Sequence, residues 1–206
     1  NIPIFTFINK MDREARSPYE LMEELENEFG IGTYPMNWPI GCGSDFKGVY
    51  DRNKGEILAF SERYRGATRI QATKIDLDDD AVLDEMVGEK LKGILRDDIE
   101  LLDMAGNEFD LDAVRNGKLS PVFFGSALNN FGVELFLESF LKMTTSPLPR
   151  LTADAIVDPF DPTFSAFVFK IQANMNKAHR DRIAFMRICS GKFQREKEYF
   201  HVQGNK

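Results

Sequence analysis

Residues 2–12, IPIFTFINKMD, decide how the rest of the chain is read. Residues 2–8 form a short apolar run rich in β-branched and aromatic side chains, the composition of a strand buried on both faces. The run passes directly into the polar tetrapeptide Asn9-Lys10-Met11-Asp12. Beyond it, Ser17-Pro18-Tyr19-Glu20 has the chemistry of a helix start: Ser as N-cap, Pro at the first helical position and Glu placed to close a capping box. Leu21, Met22, Leu25 and Phe29 follow at helical spacing, and Gly30 can end the helix. This is a strand, loop and helix unit.

A second such unit starts at residues 121–124 (PVFF), continues through Gly125-Ser126-Ala127-Leu128 and turns at Asn129-Asn130-Phe131-Gly132. A helix follows with Leu135, Phe136, Phe140 and Leu141 on one side. Two strand–helix units predict an α/β fold with a parallel sheet, in which ligands sit beyond the carboxyl ends of the strands. Both polar motifs lie at such ends. Between the units, Pro35, Pro39, Gly41, Gly43 and Gly48 punctuate short apolar stretches, and residues 49–50 and 57–60 read as hairpin strands. An acidic stretch beginning at Asp78 caps a helix carrying Val82, Leu83, Met86, Val87, Leu91, Ile94 and Leu95, with Gly88 or Gly93 as a possible break. The prolines from 147 to 162 mark a stiff linker. Residues 164–171 and 182–188 read as strands without intervening helices, the start of an all-β barrel. Phe164, Phe167 and Phe169, on an alternating strand, are expected in its core. The expected organisation is therefore residues 1–32 and 117–148 as one domain, 33–116 as an α+β insert, 149–162 as linker and 163–206 as the barrel's first strands.

Composition narrows the class. The chain has 206 residues, 43% hydrophobic and 29% charged, which are globular values, and it holds no apolar run of the roughly 20 residues a membrane span needs. Cys42 and Cys189 lie far apart, and neither His179 nor His201 has a metal-ligand neighbour, so a reducing, cytoplasmic compartment without a zinc site is expected. Charge is unevenly spread: the net charge is −7, yet 14 acidic and three basic residues fall between Asp76 and Asp112. The remainder is net positive, and Lys177, Arg180, Arg182 and Lys192 belong to a basic C-terminal stretch suited to phosphate backbones. Because the first residue is Asn1, the chain reads as a piece of a longer protein.

Asn-Lys-x-Asp at the end of one buried strand and Ser-Ala-Leu at the end of the next resemble the fourth and fifth guanine-nucleotide motifs of translational GTPases. An insert between them resembles the elongation factor G branch. Within that branch, PVFFGSALNNFGV (residues 121–133) and FVFKIQANMNKAHRDRIAFMRICSGKF (residues 167–193) are similar to the peptide-chain release factor 3 family, although Asn176-Lys177 stands where that family has Asp-Pro. The residue types suit guanine. An Asp12 carboxylate offers two acceptors for the ring N1–H and the exocyclic amino group, a donor pair adenine lacks. Lys10 can lay its stem along the base, and Asn9 can brace the loop and touch the base edge. By resemblance, Ser126 supports the loop and the Ala127 amide meets the guanine carbonyl.

The resemblance implies GTP or GDP as ligand, with magnesium in the full-length protein, and no membrane partner. Its implied partners are the ribosome, through ribosomal RNA and proteins, and the class I, stop-codon-reading release factors whose release and recycling such a GTPase promotes. No Gly-x-x-x-x-Gly-Lys-Ser/Thr loop occurs, and the phosphate and switch elements precede Asn9 in the family's order. The chain is thus expected to carry no catalytic residue or metal ligand and to be inactive alone. An elongation factor G-like translocation or recycling GTPase, and a non-catalytic ribosome-binding module, are the alternatives.

Overall fold

The computed structural model describes residues 2–59, 73–173 and 182–205. The chain divides into two compact units, residues 1–144 and 145–206.

The first unit is built around β7 (Leu119–Phe124), all six of whose residues are buried. It is the centre of a parallel sheet ordered β1-β7-β2, with β1 at Thr6–Ile8 and β2 at Gly32–Pro35. The registers Thr6↔Val122 and Gly32↔Leu119 bring the ends of β1 and β7 level. β2 straddles the expected start of the insert and belongs to this sheet by its pairing. β1 is shorter than residues 2–8 and only half-buried, which corrects the expectation of burial on both faces. It has one hydrogen-bonded neighbour among the described residues, and α5 (Val133–Met143) covers one side: Phe5 and Phe7 meet Phe140 and Phe136 edge-on at 5.0 and 5.5 Å.

Helix α1 (Pro18–Phe29) begins and ends where expected, with Pro18 at N1 and Gly30 left-handed at φ 64°. The capping box does not form. Ser17 makes no side-chain cap bond; its carbonyl instead accepts from Leu21 N at 3.1 Å, and the exposed first-turn amides are open to water.

Between β2 and β7 lies a four-stranded antiparallel sheet, β3 (Asn37–Ile40), β4 (Gly48–Asp51), β5 (Glu56–Ala59) and β6 (Thr73–Asp76), in chain order. The expected hairpin is β4–β5, closed by the Asp51↔Glu56 pair; Phe60 lies outside the described residues. The acidic helix breaks at Gly88, whose φ of 88° suits glycine, into α2 (Asp80–Met86) and α3 (Glu89–Ala105). A short α4 (Leu111–Arg115) precedes β7. In α5 the expected face packs through Leu135, Phe136 and Phe140, whereas Leu141 is 75% exposed and Met143 is buried in its stead.

One carboxylate ties α1, β3 and α3 together. Asp98 accepts from the Tyr19 hydroxyl and from Trp38 Nε1, both at 2.9 Å, and the two rings lie 4.7 Å apart. Satisfying the indole N–H lets Trp38 sit 1% exposed among Ile40, Ile57, Leu95 and Phe124.

The two long strands of the second unit, β10 (Ser165–Ala173) and β11 (Arg182–Ser190), form an antiparallel ribbon with a register shift between Val168 and Lys170; β8 (Arg150–Leu151) and β9 (Ile156–Val157) make a smaller pair. Phe167 and Phe169 are 43% and 62% exposed, against the expectation of core, because a two-stranded ribbon has no second layer to bury a face against. Phe164 is half-buried and packs on Tyr199 at 4.5 Å. No helix among the described residues is long and apolar enough to cross a membrane.

Burial, and then the Asp98 hydrogen bond, raise the Tyr19 phenol above its ordinary 10.0. The folded state therefore holds that proton while the unfolded state loses it, so stability is intact below pH 10 and falls as pH rises beyond it. In urea titrations followed by Trp38 fluorescence, Tyr19→Phe is expected to cost about 1–2 kcal/mol at pH 7 and to reduce this alkaline decline, leaving the part due to the Tyr50 phenol, which burial also raises. A slope identical to that of the parent would overturn the assignment.

Candidate nucleotide-binding site

The loops that leave β1 and β7 are laced together by backbone bonds. Gly125 N donates to Ile8 O at 3.0 Å, and Met11 N donates to Gly125 O at 3.1 Å. The Asn9 side chain completes the lacing: its Oδ1 accepts from Lys10 N at 2.7 Å and from Ala127 N at 2.8 Å. Asn9 thus ties the two loops together. The Ala127 amide, expected to face a base carbonyl, is directed at Asn9 in this structure.

Sharp local geometry makes the crossing possible. Lys10 is left-handed at φ 70°, a conformation that L residues adopt at some cost, and Arg13 N closes the turn on Lys10 O at 3.0 Å. Ser126 is fully buried and founds the second loop: it exchanges backbone bonds with Phe131 at 3.0 and 2.8 Å, and its Oγ accepts from Asn129 Nδ2 at 3.1 Å. Gly125 is required by close approach, since a Cβ there would lie 2.4 Å from Phe131 O and 2.8 Å from the Phe7 ring.

Lys10 is exposed, and its alkyl stem is free to lie against a planar ligand. Asp12 is half-buried, and its Oδ1 is screened from solvent with no hydrogen-bond partner. An acceptor in that condition is costly unless a ligand supplies a donor. A carboxylate there is an acceptor for a ligand that carries N–H donors.

Three supports were not read from the sequence. Met11 is 1% exposed, and its carbonyl accepts from Gly43 N at 2.9 Å. Asn37, 0% exposed, pairs its side-chain amide with the Phe124 backbone, donating from Nδ2 to the carbonyl at 3.0 Å and accepting the amide at Oδ1 at 2.7 Å. None of the three carries a spacing pattern that marks it in the sequence.

Of the basic residues, Lys177 and Arg180 lie outside the described residues, as does His179. Arg182 and Lys192 are exposed, Arg182 starting β11 and Lys192 lying just past its end. They are separated by roughly 25–30 Å of extended chain and do not form one cluster. Two Asp-x-x-Gly tetrapeptides occur, at residues 45–48 and 103–106. The first leads into β4 and sets its Phe46 ring 5.5 Å from that of Phe131 in the loop after β7, and the second ends α3.

A parallel sheet with a guanine-type loop pair at its strand ends defines a GTP-binding domain, and comparison with known families agrees. Residues 1–146 match the elongation factor Tu GTP binding domain, and the chain belongs to that family. Residues 163–206 match elongation factor G domain 2. Among individual relatives, peptide chain release factor 3 of Symbiobacterium thermophilum is 57% identical over 98% of the chain, and those of Trichormus variabilis and Gloeothece citriformis are 49% and 47% identical over its whole length. The chain spans 38% of the length of each.

Gly125→Ala is expected to destabilise the first unit by about 1–3 kcal/mol, because the added methyl meets backbone and ring atoms that cannot yield cheaply. Urea unfolding monitored at Trp38 measures this, and a loss below 0.5 kcal/mol, the scale of a neutral surface change, would mean the two loops are not locked as described.

Proposed function

We propose that this chain supplies the base-reading half of the guanine-nucleotide site in a ribosome-dependent GTPase of translation termination. The supporting observation is the screened, unpartnered Asp12 Oδ1 just beyond β1, within the residues that match this family. In this reading Asp12 accepts from guanine N1–H and the amino group, Lys10 covers the ring, Asn9 holds the loops in register, and Ser126 and Ala127 form the opposite wall. The Ala127 amide reaches the guanine carbonyl by sharing or exchanging its bond to Asn9. GTP and GDP are the ligands, and magnesium and the phosphates are held by residues outside this chain, which alone hydrolyses nothing.

The relatives named peptide chain release factor 3 support the finer reading. The full-length protein acts in the cytoplasm on the ribosome and promotes release and recycling of the class I factors that read stop codons. The second unit touches ribosomal RNA through Arg182 and Lys192, together with Lys177 and Arg180.

Calorimetry on the full-length protein tests the ligand. GDP is expected to bind about 10⁴-fold more tightly than ADP, which would leave the Asp12 carboxylate unmatched, and Asp12→Asn is expected to shift preference to xanthosine diphosphate, whose ring carbonyl can accept from the new amide. An unchanged preference removes Asp12 from base reading. For the ribosomal contact, replacing Arg182 and Lys192 by Ala should weaken ribosome binding and flatten its log–log salt slope by about 1.4–1.8. An unaltered slope would exclude those two side chains from RNA contact. Release of bound stop-codon factors, measured against translocation, separates termination from an elongation factor G-like role.

A further inference from the structure

We infer that the inserted sheet sets guanine specificity through Asn37 and Gly43, which act as positioning residues for Asp12. The inference rests on the guanine reading of the Asn9 to Asp12 loop and extends it to residues outside both motifs. Its starting point is that Asp12 Oδ1 has no hydrogen bond to hold it. The position of that oxygen is set by the backbone to which Asp12 is attached, above all by its neighbour Met11.

Met11 is fixed at both polar atoms. Its amide donates to Gly125 O at 3.1 Å, and its carbonyl accepts from Gly43 N at 2.9 Å. Gly43 belongs to the turn after β3, so one of the two anchors is supplied by the insert. The other anchor depends on the insert at one remove. Gly125 follows Phe124, whose amide and carbonyl are both taken by the Asn37 side chain at 2.7 and 3.0 Å. Asn37 opens β3, and its full burial means that no water can replace the amide if it is lost. One strand and the turn after it thus hold the base loop from two directions. The path from Asn37 to Asp12 runs through Phe124, Gly125 and Met11, each link a bond of 3.1 Å or shorter or a peptide linkage.

The consequence is specific to the base. Displacing Met11 leaves phosphate contacts untouched but moves the carboxylate away from its two donors. Inosine diphosphate, which keeps N1–H and lacks the exocyclic amino group, reads this out, because the ratio of its Kd to that of GDP measures the amino–Asp12 bond alone. A variant that is merely less stable binds both nucleotides more weakly by the same factor and leaves the ratio unchanged.

The experiment measures GDP and inosine diphosphate binding to full-length protein carrying Asn37→Ala or Gly43→Ala. Gly43→Ala is the variant certain to be informative if loss of the buried amide prevents folding. Its methyl would lie 3.4 Å from two Glu14 atoms and 3.6 Å from the Arg13 carbonyl carbon, while the φ of 62° penalises alanine and displaces the turn. Each folded variant is expected to lower the inosine-to-guanine Kd ratio by about 2- to 30-fold, the range seen for residues that modulate a site without touching its ligand. A parent-like ratio in Gly43→Ala, or in a folded Asn37→Ala, overturns the inference and leaves the guanine reading intact. If the unaltered protein itself shows no preference for GDP over inosine diphosphate, the guanine reading fails first and this inference with it.

Discussion

Every backbone polar group of a strand buried along its whole length must find its partner inside the protein, and β7 is such a strand. The requirement explains most of the first unit. β1 satisfies one edge and β2 the other, in parallel register. Where β2 ends at Pro35 the ladder still has a residue to serve: Met36 N bonds Val122 O, and then the Asn37 side chain takes over at Phe124. A side-chain amide has the same donor and acceptor as a peptide group, so it can continue the ladder while the main chain turns away to start another sheet. The junction of the two sheets and the floor of the nucleotide loop are therefore the same few atoms.

The acidic stretch has a structural explanation that composition alone did not reveal. Asp79 and Asp110 cap α2 and α4 through bonds to Val82 N and Asp112 N. Asp80 receives Arg96 and Lys92, Asp84 receives Lys92 at 2.7 Å, and Asp103 receives Arg52 at 2.7 Å. The Arg96 hydrogen bond is the main reason the Asp80 carboxyl is held below its ordinary range. Exposed pairs of this kind contribute little individually; their effect is to fix helix ends and the α2–α3 corner. Much of the acidic charge is thus used in holding short helices in place.

Where elements were legible, the signal was local and redundant. Gly30 and Gly88 mark helix ends by the left-handed or extended backbone they permit, and β10 and β11 were readable from β-branched and aromatic runs. β2 and β3 were not, because Gly-Thr-Tyr-Pro and Asn-Trp-Pro-Ile contain the residues that argue against strands. They form through pairing with β7, β4 and the buried Asn37 amide, none of which is a local property. Burial was misjudged at β1 and β10 for a related reason: an apolar composition states what a strand can bury, while the number of layers around it decides what is buried. The loop pair was legible because Asn9-Lys10-Met11-Asp12 and Ser126-Ala127-Leu128 each follow a strand-forming run directly. Its supports were not, since Met11 and Gly43 contribute main-chain atoms that any residue would carry.

The brace between Asn9 and Ala127 joins residues 118 positions apart, and this separation has a meaning during synthesis. At roughly 5–20 residues per second, Ala127 is added about 6–24 s after Asn9. Throughout that interval a growing chain holds an apolar first strand with no β7 beside it. The intervening residues, with their own antiparallel sheet and helices, can order first and present Asn37 and Gly43 as a ready template. The nucleotide loop would then be among the last parts of the unit to take shape, closing onto a scaffold made while its partner strand was still being synthesised.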